Sequence, residues 1–181
     1  MKEFIYPEMM VHVPLCTSKN PQEVLIVSDN IDLLAKEMLK HNDINTRAVE
    51  CSLDAIRNLD DSSVDVIICE MSSDAALLAH INRVLKEDGQ LSITHPSLDE
   101  VEANKAILHI LGKYFKVIMP YNIGNGSTAL LASKEYHPTA DLNLHRADML
   151  DGNQFYNCDI HIASFAMGNY IRKEYLGIIK N

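Results

Sequence analysis

Three short runs that favour extended backbone alternate with stretches of helical spacing, and this rhythm restricts the chain to βαβ units on a mostly parallel sheet. The first run is VLIV, Val24 to Val27. Asp29, Asn30 and Asp32 then supply capping chemistry ahead of LLAKEMLKH, in which Leu33, Leu34, Met38 and Leu39 share one helical face. A second strand, TRAVE, ends at Glu50, and a short helical stretch covers Leu53 to Leu59. VDVIIC, Val64 to Cys69, has the unbroken apolar character of a central strand buried on both faces. The spacing predicts a helix from Ala75 to Lys86 with Gly89 in its stop position, extended chain from Gln90, and a helix from Glu100 to Leu111 closed by Gly112. KVIMP and TALLAS predict an antiparallel pair around YNIGNGS, and after His137-Pro138 the pattern is helical to the end. There is no internal repeat and no linker, so residues 1–181 are expected to form a single domain.

Composition narrows the function. Sixteen basic against 25 acidic residues leave a net charge of −9, which argues against nucleic acid, whose phosphates need a basic face. A cationic ligand suits the chain better. The longest apolar runs fall far short of the roughly 20 residues of a membrane helix, and the start, MKEFIYPEMM, has no signal-peptide character. A cytoplasmic protein without a membrane partner is therefore expected. Cys16, Cys51, Cys69 and Cys158 are far apart with no CxxC pair, which reads as free thiols. The eight histidines lack the short pair spacing of a metal site, so no metal is expected; His161 reads as a structural residue, and Met9, Met10, Phe165 and Met167 as packing.

In open sheets of this kind, ligands bind beyond the carboxyl ends of the strands, where the strand order reverses. The residues there are Ser28 to Asp32, Glu50, and Glu70 to Asp74, so acidic groups gather on one edge. Solvated loop carboxylates are the plain alternative for each taken singly.

Two stretches carry a resemblance that periodicity does not supply. They are EFIYPEMMVHVPLCTSKNPQEVLIV near the start and FYNCDIHIASFAMGNYIRKEYLG near the end. The chain resembles the spermidine synthase family, which opens on EFxYHExxxHVPL and closes on YYNxxxHxASFALP. Glu3, Phe4, Tyr6, Glu8, His12, Val13, Pro14 and Leu15 match the first pattern; Tyr156, Asn157, His161, Ala163, Ser164, Phe165 and Ala166 match the second. VDVIICE, LKEDGQL and LLASKEYHP fall between them in family order.

The resemblance implies an α/β class I methyltransferase-like (Rossmann-like) fold and an aminopropyltransferase. Its co-substrate would be decarboxylated S-adenosylmethionine and its acceptor putrescine, with no other cofactor. A diamine is cationic at neutral pH, since an alkyl ammonium has a pKa of about 10, so carboxylates must hold it and accept a proton before it attacks. Glu70 aligns with the first aspartate of the family's DSSDP loop, and Asp74 with the second if one residue is inserted. Tyr6 matches a tyrosine lining the active site; these three are the catalytic candidates. Glu50 aligns with the acidic residue on the ribose hydroxyls. Glu37 also matches.

The chain also departs from the pattern. The glycine run GGGDGG reads here as Ser28, Asp29, Asn30, Ile31, Asp32, Leu33. Side chains then occupy a turn that glycine keeps open, and a positive φ would strain Ile31 or Leu33. Ile31 replaces the run's aspartate, and Asp32 stands beside it; Asp29 and Asp32 are thus candidates either for nucleoside contact or for helix capping. Only 14 residues separate Glu50 from Asp65, too few for the helix, strand and adenine-contacting DG motif that the family has there. The loss is expected to leave the second strand as an exposed edge and so to favour self-association into a homo-oligomer. Before EFIY the family's β-domain is expected to be lacking. Pro7 replaces the usual His or Gln beside Tyr6, and MPYNIGNG replaces PTYPSG, so that Tyr121 or Asn122 stands where a tyrosine lines the amine channel. The alternative to an active enzyme is a descendant that binds polyamine or a partner without turnover.

Overall fold

The extended runs of the sequence lie side by side in a computed structural model that describes residues 2–181. The elements in chain order are α1 (Ile5–Thr17), β1 (Glu23–Val27), α2 (Ile31–Met38), β2 (Asn45–Val49), α3 (Leu53–Arg57), β3 (Val64–Cys69), α4 (Ala75–Val84), β4 (Leu85–Thr94), α5 (Val101–Leu111), β5 (Val117–Asn122), β6 (Thr128–Ser133), α6 (Leu144–Asp148), α7 (Cys158–Ser164) and α8 (Asn169–Glu174). They build one six-stranded sheet of order β2-β1-β3-β4-β6-β5. β2, β1, β3 and β4 run parallel, while β6 is antiparallel to both β4 and β5. This is the expected α/β sheet with an antiparallel closing pair.

Each sheet face has its own apolar core. Leu25, Val27, Ile67, Cys69, Leu91 and Ile93 face α4, α5 and α8 through Leu78, Ile81, Leu108, Leu111 and Tyr175. Val24, Ile26, Val66, Ile68 and Leu131 face α1 and α2 through Met9, Met10, Val13, Leu34 and Met38. Alternate side chains of β3 thus enter opposite cores, which is why its sequence is apolar almost throughout. Cys16 and Cys69 are packing residues within these cores, and burial pushes both thiols up to about 12, far from a reactive thiolate.

α1 is buried from Pro7 to Thr17 and lies inside the molecule rather than on it. Pro14 sits within it, where the ring removes one N–H of the helical ladder. The chain leaves the helix at once: the Ser18 N–H donates to Pro14 O at 3.0 Å and Thr17 Oγ1 donates to Val13 O at 2.8 Å.

Two expectations need correction. α4 ends at Val84, and Gly89 is not its stop; it lies inside β4 at a β-bulge, where the register to β3 jumps from Val64↔Leu85 to Val66↔Gln90. A Cβ on Gly89 would stand 3.0 Å from the Leu85 side chain and 3.1 Å from Lys86 O, a tight fit in which those neighbours must yield by a few tenths of an ångström. The final segment is not continuously helical either. It forms three helices of five, seven and six residues, joined by loops and pinned by side chains such as Tyr175, whose hydroxyl donates to Leu98 O at 2.6 Å.

The two sheet edges differ. β5 is bridged by Lys180, which pairs with Ile118 through both backbone bonds. β2 is paired on one side only, and Asn45 to Ala48 are exposed. Among the described residues, no helix is long and apolar enough to cross a membrane.

Candidate active site

The strand order reverses between β1 and β3. β1 leads to β2 on one side and the chain then returns to place β3 on the other, so the crevice outside these carboxyl ends is where ligands bind in such sheets. Backbone bonds stitch the ends together: Ser28 N–H donates to Val49 O at 3.1 Å and Glu70 N–H donates to Val27 O at 2.9 Å. Glu70 is the first residue after β3 and so stands at this reversal. The Tyr6 hydroxyl, from the first turn of α1, donates to Oε1 at 2.5 Å, and the Ser28 hydroxyl donates to Oε2. Burial, followed by the hydrogen bond and the charge of Glu70, raises the Tyr6 phenol well above its ordinary value, so it remains a protonated donor.

The other predicted residues fare differently. Asp74 lies four positions beyond Glu70 and caps α4, its Oδ1 accepting from Leu77 N–H at 2.8 Å. Asp29 does not cap α2; its Oδ1 accepts from Cys51 N–H at 2.9 Å and clasps the β1 turn to the end of β2, next to exposed Glu50. Asp32 is exposed in the first turn of α2, which already begins at Ile31. No residue of the Ser28–Leu33 turn has a positive φ, so the expected strain is not there: the chain enters α2 through Asn30 at φ −122° and ψ 63°. Tyr121 packs in the core. It is fully buried, with its hydroxyl 2.7 Å from Ser92 Oγ and its ring 5.4 Å from that of Phe165. Asn122 is exposed instead and, with Ile5, Gly124, Gly126, Phe155, Ile160 and Ser164, lines a cavity of about 380 Å³ beside the start of α1.

Sequence reasoning missed several contacts. The sequence places Ser28 beyond the end of β1 and in an altered glycine run, but gives it no partner. Glu8, 1% exposed, accepts from the N–H groups of Gln154, Phe155 and Tyr156 at 2.9, 2.9 and 2.8 Å, tying α1 to the end of the chain. His12 donates from Nε2 to Glu37 Oε2 at 3.1 Å, and its Nδ1 lies 3.0 Å from His41 Nε2. Burial disfavours the Glu37 charge, but the hydrogen bonds from His12 and Lys40 outweigh it and hold the carboxyl below its usual range. Glu8 and His12 are visible in the opening pattern and Glu37 matches separately, but nothing in either match says what they touch. His161 has the structural place expected of it, buried between the Tyr156 hydroxyl at 2.8 Å and Pro138 O at 3.0 Å.

Comparison with known proteins places the whole chain. Residues 3–57 match the model of the spermine/spermidine synthase domain. A polyamine aminopropyltransferase of Helicobacter pylori (strain G27) is 31% identical over 214 aligned residues, which take in 99% of this chain and 80% of that protein. Among solved structures, spermidine synthase from Thermotoga maritima superposes with a TM-score of 0.82 at 24% identity, covering 95% of this chain and 74% of that one. A spermidine synthase in complex with the transition state analogue AdoDATO does so with a TM-score of 0.82 at 22% identity, covering 95% and 75%. The structural likenesses establish the Rossmann-like fold, and the sequence match establishes descent. The chain belongs to the spermine/spermidine synthase family, the polyamine aminopropyltransferases.

Proposed function

We propose that this chain is an aminopropyltransferase of polyamine biosynthesis, moving the aminopropyl group of decarboxylated S-adenosylmethionine to putrescine. The observation that carries the reading is the Glu70 carboxylate at the reversal of strand order, held by Tyr6 and Ser28. In this reading one amine of putrescine gives a proton to Glu70 and attacks the carbon beside the sulfonium. A C–N bond forms, the C–S bond breaks, and methylthioadenosine leaves with the sulfur electron pair. Tyr6 keeps the carboxylate aimed, and Asp74 attracts the ammonium with the oxygen that does not cap α4. Glu50, with Asp29 and Asp32 nearby, faces the ribose and the rest of the nucleoside. Of the pair proposed for the amine channel, Asn122 is favoured for the tail of the acceptor, because it lines the open cavity whereas Tyr121 is buried. The exposed β2 edge supports self-association, and the lack of a membrane-spanning helix among the described residues fits a cytoplasmic enzyme acting on small molecules.

Calorimetric titration with methylthioadenosine, then putrescine, tests the reading together with an assay of spermidine formation. Micromolar nucleoside binding is expected. Glu70→Gln should reduce turnover by about 10²- to 10⁴-fold, the range for removal of a general base. Absence of nucleoside binding, or turnover untouched by Glu70→Gln, would overturn it.

A further inference from the structure

We infer that Ser28 is a positioning residue for Glu70, an inference that rests on the transferase reading above. Ser28 is fully buried at the end of β1, and its hydroxyl has one proton to give. The Asn30 N–H donates to Ser28 Oγ at 2.9 Å, which occupies a lone pair of that oxygen and leaves the O–H for Glu70 Oε2. Tyr6 donates to the other oxygen, Oε1. One donor is the residue that follows β1 and the other lies in α1, while the carboxylate is on the residue that follows β3, so three separate parts of the chain fix one side chain. A glutamate has one more rotatable bond than an aspartate and reaches roughly an ångström further; unrestrained, that freedom would scatter the proton acceptor, and misplacement by about 1 Å can cost about a hundredfold in rate. The Tyr6–Glu70–Ser28 clamp removes the freedom. It leaves the other lone pair of each carboxylate oxygen for the incoming amine.

A double-mutant cycle on the full chain tests this, with spermidine formation measured as a function of both substrates. Ser28→Ala should lower kcat about tenfold while KM for putrescine and the affinity for methylthioadenosine stay within about twofold, since only the aim of the base changes. Glu70→Asp withdraws the carboxylate from Ser28, so adding Ser28→Ala to it should cost less than twofold. An equal loss in both backgrounds, or a loss confined to KM, would overturn the positioning role while leaving the transferase intact. A wild-type chain without turnover would overturn both. Should Ser28→Ala fail to fold, Ser28→Gly removes the same hydroxyl from the turn and takes its place in the cycle, with the same outcomes deciding.

Discussion

Glu8 organises more backbone than any other carboxylate described above, and its three N–H partners lie almost the whole chain length away. Glu8→Ala would leave three donors without an acceptor in a buried place, so a loss of about 3 kcal/mol or more is expected in urea unfolding. Glu8→Gln, which retains one carbonyl oxygen, should lose less. Histidine sets the acid limit. Burial, with His12 nearby, draws His41 down to about 3, and burial draws His161 down to about 4, against about 6.5 in the unfolded chain. Between these values the unfolded state binds protons that the native state does not, so stability falls as pH drops below about 6.5 and the loss levels off near the folded values. Around His41 the groups that bear on this are His12, Glu37, Lys40 and Arg146. Denaturant unfolding should show a loss of about 2 kcal/mol per imidazole between pH 8 and pH 5; an unchanged midpoint would contradict the buried neutral state. At this scale the family pattern in the sequence singled out Glu70 and Tyr6 as candidates, and the lack of paired histidine spacing assigned His161 a structural place. The sequence did not reveal Ser28 as a donor or Glu8 as a clamp, because a hydrogen-bond partner 42 or 148 residues away is set by packing.

Among the elements, β1, β3, α5 and the β5–β6 pair were legible to within about a residue at most ends, because their apolar runs are bounded by turn chemistry. α1 was not read as a helix. It is buried on all sides, so it has no polar stripe to give a 3.6-residue period, and its two prolines argue against a helix locally. The Gly89 misreading has a similar source: glycine after a helical pattern usually marks the stop, but here it lies in an irregular stretch of β4, close against Leu85 and Lys86 of the same strand. Asp74 offers a separation of roles at the level of one helix. Asp74→Asn keeps a good N-cap for α4 and should leave the unfolding free energy within about 0.3 kcal/mol of wild type, whereas Asp74→Ala should cost about 1 kcal/mol. If the charge also serves the amine, Asp74→Asn should raise KM for putrescine despite its preserved stability. An unaltered KM would restrict Asp74 to capping.

For the whole molecule, the unpaired side of β2 is the feature with the largest expected consequence, since free N–H and C=O groups on an edge recruit another strand. Light scattering after gel filtration at micromolar concentration should show a dimer or larger species, and Ala48→Pro, which removes a donor from that edge, should shift it towards monomer. A strictly monomeric wild type would refute pairing through this edge. The sequence by itself determined which segments are strands, that they form a mostly parallel sheet, and that acidic groups collect beyond its carboxyl ends. Those properties depend on local periodicity, on β-branched runs and on the alternation of strand and helix, all of them readable within a few residues. Only the tertiary structure decided that Tyr6 and Ser28 meet on Glu70, that Tyr121 is core while Asn122 opens on a cavity, and that Asp74 and Asp29 spend oxygens on backbone N–H groups. Such choices depend on which faces of distant elements come together, a matter of packing that local residue spacing does not encode.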